Sequence, residues 1–266
     1  MGAEFEVLHR SGTFLLVNVH DAGAAVVAQA AGAVAVATTS SGHANSLARR
    51  DGGVTRAEAI ERAAQIAAAV DIPVSVDAEN GWGHRPDEVA ATIRDLAAAG
   101  VDGASIEDWS PDPAVGLYET TLAVERIEAA CEAAASMPEP FVVTARAEGF
   151  LRGAEDPLAM ALDRLPRFAE AGAGCLFAPG PTDRDTLSRL VAEAGGPVNA
   201  LFAMGSDLGL DDARAVGVRR VSVGGSLHRV AMTAFREAVA RVTSGGSFAV
   251  EGPLMSGPEL QGMFDE

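Results

Sequence analysis

Lysine is absent from this 266-residue chain: all 20 basic residues are arginine, against 37 acidic residues, for a formal net charge of −17. Replacement of lysine by arginine across a biased genome accounts for the absence. Its chemical consequence holds whatever the cause. With no lysine there is no Schiff base, so class I aldolase chemistry is excluded. The shortage of positive charge argues against a nucleic-acid or anionic-membrane surface. Cysteine is scarce too. Cys131 and Cys175 are too few for a disulfide framework and sit in helix-like and strand-like apolar settings, where buried, inert thiols are expected. No basic segment followed by an apolar stretch opens the chain, and no run of about 18 apolar residues occurs. The expectation is a soluble cytoplasmic protein.

What is present is a repeating pattern. With 48% hydrophobic residues the chain can bury a substantial core. Apolar runs recur at Phe14–Val19, Ala33–Thr38, Pro73–Asp77, Gly103–Glu107, Phe141–Arg146, Cys175–Pro179, Pro197–Phe202 and Arg220–Gly224. They are continuous rather than alternating, as strands covered on both faces should be. Amphipathic helix patterns separate them. Thr55 and Glu58 form a capping box, Pro86 and Pro157 stand near first turns, and Asp156 is placed to cap the helix opening at Pro157. Gly32, Gly100, Gly172 and Gly217 each follow an alanine-rich helix and precede a strand, which fits a glycine C-cap. This eightfold βα alternation predicts an α/β fold, a TIM (β/α)8 barrel over residues 1–243 with a C-terminal helical extension over 244–266. The tail carries a helical stretch around Pro258–Phe264 and suits a packing or oligomer arm. A doubly wound sheet with fewer strands is the alternative.

A barrel's chemistry sits where its strands end. Those ends supply Asn18, His20 and Asp21, then Thr39 through His43, then Asp77 and Glu79, Glu107 and Asp108, and Arg146 and Glu148. Asn199 lies within strand 7, and Gly224-Gly225-Ser226 closes strand 8. Strand periodicity places Asp77 and Glu79 on one face. Carboxylates at three successive strand ends, with one arginine among them, suit a hard divalent cation and an anionic substrate.

The stretch Asp77-Ala78-Glu79-Asn80-Gly81-Trp82-Gly83 resembles the metal-binding motif of the isocitrate lyase/phosphoenolpyruvate mutase superfamily. Val17 through Gly23, Ser40 through Gly52, Ser105 through Asp108 and Thr144 through Glu148 resemble its other strand ends in the same order, so the likeness spans nearly the whole barrel. It implies Mg2+, with Mn2+ as a substitute, held directly by Asp77 and through water by Glu79, Glu107 and Asp51. It further implies a 2-oxo acid or its enolate on the metal, backbone N–H groups of Ser41 and Gly42 at the oxyanion, and Arg146 on substrate charge. The catalytic candidates are therefore Arg146, Asp51, Ser41, Gly42 and His43. Ser41, Gly42, Arg146 and Asn199 are the substrate-binding candidates. Tetramers that exchange a C-terminal helix are the family's usual assembly, so a homo-oligomer is expected.

The departures are specific. Lyases of this family carry a cysteine acid in a lysine- and histidine-containing segment after strand 4, and the mutases a lysine and an asparagine. Here Glu107 through Tyr118 holds none of these, and the loop is short. Tyr118, His43 and His84 are the remaining proton donors nearby. Arg146 has a second reading as a purely structural partner of Glu107 or Glu148. Ser41-Gly42 is a turn signal as well as an oxyanion donor. The Gly224-Gly225-Ser226 segment suits phosphate. The expectation is a Mg2+-dependent lyase or C–C hydrolase acting on a 2-oxo acid or 2-hydroxy dicarboxylate through an enolate. C–P bond chemistry, and a catalytically idle 2-oxo-acid binder, are the alternatives.

Overall fold

Eight apolar segments that need cover on both faces can obtain it by closing into a cylinder with helices outside. A computed structural model, which describes residues 1–249 and 252–264, has that form. Strands β1 (Phe14–Val19), β2 (Val36–Thr38), β3 (Val74–Asp77), β4 (Gly103–Glu107), β5 (Val142–Arg146), β6 (Cys175–Phe177), β7 (Val198–Leu201) and β8 (Arg220–Ser222) are parallel. They are joined in sequence order, and β8 pairs back with β1. Closure rules out a doubly wound sheet. Helix α1 (Gly2–Arg10) precedes the barrel. After it come α2 (Ala22–Ala30), α3 (Ser40–Ser46), α4 (Arg56–Ala67), α5 (Pro86–Ala98), α6 (Thr120–Ala135), α7 (Gly149–Arg152), α8 (Pro157–Glu170), α9 (Arg184–Glu193), α10 (Leu210–Val216), α11 (Ser226–Thr243) and α12 (Gly257–Gly262). The main core fills the layer between strands and helices, where Val76, Ile93, Leu96, Ile106, Leu165 and Phe168 are buried. No helix among the described residues is long and apolar enough to cross a membrane.

The predicted helix ends form. Thr55 and Glu58 make the reciprocal capping box, and Asp156 accepts from the Ala159 N–H ahead of Pro157 in α8. Gly32, Gly100, Gly172 and Gly217 adopt φ of 92, 87, 97 and 84°, the left-handed region where a side chain would be strained. Several strands are shorter than their apolar runs. β2 starts at Val36 rather than Ala33, and β6 stops at Phe177 rather than Pro179, because the chain leaves the ladder before its apolar character ends. Thr39 through His43 form no open loop: Thr39 caps α3, which begins at Ser40.

Helix α1 was not foreseen. It plugs the floor of the barrel with Phe5 and His9. The His9 Nδ1–H donates to the Phe5 carbonyl at 2.8 Å, which leaves Nε2 to accept from Arg220 at 3.1 Å. At the other end of the chain α11 leaves the barrel. Only Ser226 and His228 of α11 are buried, while Val230, Met232, Phe235 and Val239 are exposed. Where a helix following β8 would normally pack, between α2 and α10, lies an apolar groove of about 820 Å³ lined by Leu15, Val17, Val27, Leu210 and Leu227. Helix α12 in the tail is exposed; residues 250, 251, 265 and 266 of the expected arm lie outside the described residues.

Candidate functional site

The strand registers bring the sequence candidates to one end of the barrel. Asp77 pairs with Ser105, and Glu107 with Arg146, so the last residues of β3, β4 and β5 form a row. They line a cavity of about 290 Å³ that also receives Asn18, Ser41, Asp51, Arg152, Asn199 and Arg220.

Arg146 is the hub. Its Nη1 donates to Asp77 Oδ1 at 2.9 Å and its Nε to Glu148 Oε1 at 2.8 Å, while Nη2 lies 3.1 Å from Glu107 Oε1. Burial works against its charge, but Glu107, Glu148 and Asp77 outweigh it and hold the proton more tightly. All three guanidinium nitrogens therefore face carboxylates of the protein. The structural reading of Arg146 is realised: each nitrogen has a carboxylate partner, which leaves only the second N–H of Nη1 and of Nη2 for a substrate. A second arginine joins the network from α7: Arg152 lies 3.5 Å from Glu107 Oε2 and 3.6 Å from Glu148 Oε2.

The turn after β3 corrects one expectation. Asp77 and Glu79 do not share a face by strand periodicity, because β3 ends at Asp77. Glu79 lies at φ +47° and Trp82 at φ +52°, positions that non-glycine residues rarely occupy. The turn is closed by the Gly81 N–H donating to the Ala78 carbonyl at 2.7 Å, and by the Trp82 N–H donating to Asn80 Oδ1 at 3.1 Å. Arg126 of α6, 1% exposed, clamps it from below by donating to the Gly83 carbonyl at 2.6 Å and to the Asn80 carbonyl. The result still sets Glu79 beside Asp77, since both line a second, very small pocket with His43 and Trp82. The proximity comes from a left-handed turn.

Glu79 is unsatisfied there. Its Oε1 is buried without a hydrogen-bond partner. Burial, then the charges of Asp77 and Asp51, push its carboxyl up to about 7. Burial also pushes Glu107 up to about 8, against the pull of Arg146. An all-oxygen set of carboxylates with an orphaned oxygen and excess negative charge fits a hard divalent cation. As placed, no three Asp, Glu, His or Cys side chains among the described residues converge on one ligation point. A Mg2+ site needs only one or two direct carboxylates, because the ion keeps several waters.

The remaining candidates divide. Ser41 lines the cavity, whereas Gly42 and His43 lie behind it, and the Gly42 N–H is directed to Thr39 Oγ1 at 3.4 Å. Burial lowers the His43 pKa, which keeps the imidazole neutral. Asp51 reaches the cavity from an exposed loop. Asn199 is held at both ends, its Oδ1 accepting from Arg220 at 2.8 Å and its Nδ2 donating to Ser222 Oγ at 2.9 Å. Tyr118 and His84 hydrogen-bond each other at 2.9 Å under the β3 turn and do not reach the cavity. Sequence reasoning did not single out Arg126, Arg152 or Arg220. Arg152 stands four residues after Glu148, a helical spacing that was the available signal. Arg126 shares the apolar face of α6 with Ala123, Ile127 and Ala130.

Comparison with known proteins gives a consistent picture. The family model described as phosphoenolpyruvate phosphomutase matches residues 5–243. A Mycobacterium tuberculosis protein of uncharacterised function is 33% identical over 91% of this chain and 89% of its own. The 2-methylisocitrate lyase of Salmonella typhimurium is 30% identical over 73% of this chain and 66% of its own. Among solved structures, a Burkholderia cenocepacia protein provisionally described as a lyase/mutase has TM-score 0.95 and 40% identity, covering 100% of this chain and 95% of that one. A phosphonopyruvate hydrolase in complex with oxalate and Mg2+ has TM-score 0.85 and 27% identity, covering 98% and 94%.

Proposed function

The chain belongs to the phosphoenolpyruvate phosphomutase family, within the phosphoenolpyruvate mutase/isocitrate lyase superfamily of enzymes, and we propose that it is a Mg2+-dependent lyase or C–C hydrolase acting on a 2-oxo acid or 2-hydroxy dicarboxylate. The observation that carries this reading is the strand-end row Asp77–Glu107–Arg146 facing a cavity, backed by the orphaned Glu79 carboxylate. Asp77 would hold the cation directly, with Glu79, Glu107 and Asp51 acting through water; Mn2+ is an acceptable substitute. A bound divalent cation supplies Lewis-acid polarisation of the substrate carbonyl and charge for the developing enolate. The protein's share is positional. Arg146 fixes the oxygens of Asp77, Glu107 and Glu148 before substrate arrives, so little reorganisation accompanies reaction. Ser41 and Asn199 add polar groups to the lining of the cavity.

The proton donor narrows. No cysteine, histidine or tyrosine lines the main cavity among the described residues; its titratable acids are Asp51, Asp77 and Glu107. A proton delivered to a departing enolate therefore comes from one of these carboxyls or from water, which suits a hydrolytic cleavage. The phosphonopyruvate hydrolase likeness favours a second reading, C–P cleavage. Replacing Asp77 by Ala should abolish Mg2+-dependent turnover of the 2-oxo acid while the fold persists; unchanged turnover would sink the metal reading. Phosphorus NMR of a phosphonopyruvate reaction separates the second reading from the first. Tight Mg2+–oxalate binding with no turnover across a panel of acids would identify an idle binder.

We further propose a homo-oligomer in which α11 of one subunit fills the α2–α10 groove of another. The exposed apolar residues of α11 and the unfilled apolar groove on the same barrel support it.

A further inference from the structure

We infer that Arg152, rather than Arg146, is the residue that receives the second acidic group of the substrate, and so sets the preference for diacids over monoacids. The inference rests on the metal–2-oxo-acid reading of the same cavity.

Three arginines line that cavity, and two are already engaged. Arg146 has each nitrogen directed at a carboxylate. Arg220 donates to Asn199 and Thr144 and meets His9. Arg152 differs. Its guanidinium makes only long ion pairs, 3.5 Å to Glu107 and 3.6 Å to Glu148, beyond ordinary hydrogen-bond length. None of its guanidinium N–H groups has a hydrogen-bond partner among the described residues. Its side chain is 31% exposed, so it is neither sealed in nor free in solvent.

It is nevertheless held. The guanidinium carbon lies 3.5 Å from the centroid of the Trp109 ring, within stacking range. Trp109 is fixed in turn by a bridge to Leu117, with the Ser110 N–H donating to the Gly116 carbonyl at 2.8 Å. The short segment after β4 thus supplies an aromatic platform for a cation. On the opposite side Glu148, 0% exposed, keeps an orphaned Oε2 aimed toward Arg152. A stacked, charged fork with unspent donors at a cavity wall is suited to a planar carboxylate or a tetrahedral phosphonate. The shared chemistry is an oxyanion attached one carbon beyond the 2-oxo acid.

Calorimetry in excess Mg2+ tests this with three probes: oxalate, whose two carboxylates stand for the 2-oxo-acid end alone and which lacks the distal acidic group, 3,3-difluorooxaloacetate and phosphonopyruvate. Arg152→Gln should weaken at least one of the two longer probes by about tenfold or more while oxalate changes by less than about threefold. Whichever longer probe loses more identifies its terminal group as the one Arg152 binds. Arg152→Lys, which keeps charge but not the fork, should fall between wild type and Arg152→Gln. A purely structural arginine would lower melting temperature and weaken all three probes alike, and that result overturns the inference, as does no change in any. Failure of oxalate to bind the wild-type protein overturns the metal reading and this inference with it. Oxalate binding without selective loss in Arg152→Gln overturns the inference alone.

Discussion

His9 illustrates how one buried side chain converts pH into stability. It is 4% exposed, with its Nδ1–H committed to the Phe5 carbonyl and its Nε2 accepting from the Arg220 guanidinium. Protonation would turn that acceptor into a donor facing a cation. Burial, then the Arg220 charge, lowers its pKa from 6.5 to about 3. Below the ordinary value the unfolded chain binds a proton that the folded chain refuses, so stability is present above about pH 6.5 and is lost as pH falls toward about 3. The loss should reach about 2–3 kcal/mol between about pH 7 and about pH 4.5. Glu79 and Glu107, raised to about 7 and about 8, act with the opposite sign in the apo protein: their folded forms keep a proton that the unfolded chain releases, which favours folding at lower pH. Comparison with His9→Gln isolates the histidine, since glutamine accepts from Arg220 but does not titrate. Because Glu79 and Glu107 act alike in both proteins, the variant's urea midpoint should rise relative to that of wild type as pH falls over the same range. An identical pH dependence in the two proteins would remove His9 from the acid limb. None of this was legible in the sequence, where His9 is an unremarked residue near the start; its setting exists only once α1 plugs the barrel.

At the scale of elements, the β3 turn shows what patterns convey and what they miss. Strand positions were legible because a strand covered on both faces must be apolar throughout, and helix ends because caps and left-handed glycines are chemically distinctive. The Asp77–Glu79 pair was legible as a site, but not as a turn. Positive φ at Glu79 and Trp82 is a local cost that only tertiary contacts can offset, and no sequence period encodes it. Those contacts come from α6, some forty residues on. Arg126→Leu would leave the Asn80 and Gly83 carbonyls without their donor, at a cost of about 2–4 kcal/mol. Arg126→Lys keeps the charge but lacks the fork that spans both carbonyls, and should restore little. If the clamp positions the metal turn, Mg2+–oxalate affinity should drop in a variant that still folds by circular dichroism. Full affinity in such a variant would make the clamp a stability device only. Arg146 shows the converse: a residue marked for substrate on sequence grounds is occupied by three carboxylates, because β4 and β5 set Glu107 opposite it in register.

For the molecule as a whole, α11 and the groove it leaves are complementary parts that one chain does not bring together. Met232, Phe235 and Val239 recur at a spacing of three and four residues, which aligns them as one apolar stripe on the 18-residue helix. Each would contribute about 1.5–3 kcal/mol if buried. The groove between α2 and α10 offers apolar walls on the barrel that α11 departs from, so two copies can exchange helices without either exposing its stripe. Pairing Met232→Asp with Phe235→Glu places two carboxylates in that contact, where burial without a partner is costly. Analytical ultracentrifugation should then find the wild-type protein as a dimer or larger and the double variant as a monomer, with a lower melting temperature. A wild-type monomer at micromolar concentration would overturn the exchange. An unchanged assembly in the double variant would move the interface elsewhere. Because Ser226 and His228 at the base of α11 are buried beside the first turn of α3, which carries Ser41 and Gly42, the helix is anchored next to the cavity. Loss of assembly is therefore expected to loosen that wall of the site and weaken Mg2+–oxalate binding, whereas the Asp77→Ala variant should lose the ligand with assembly intact.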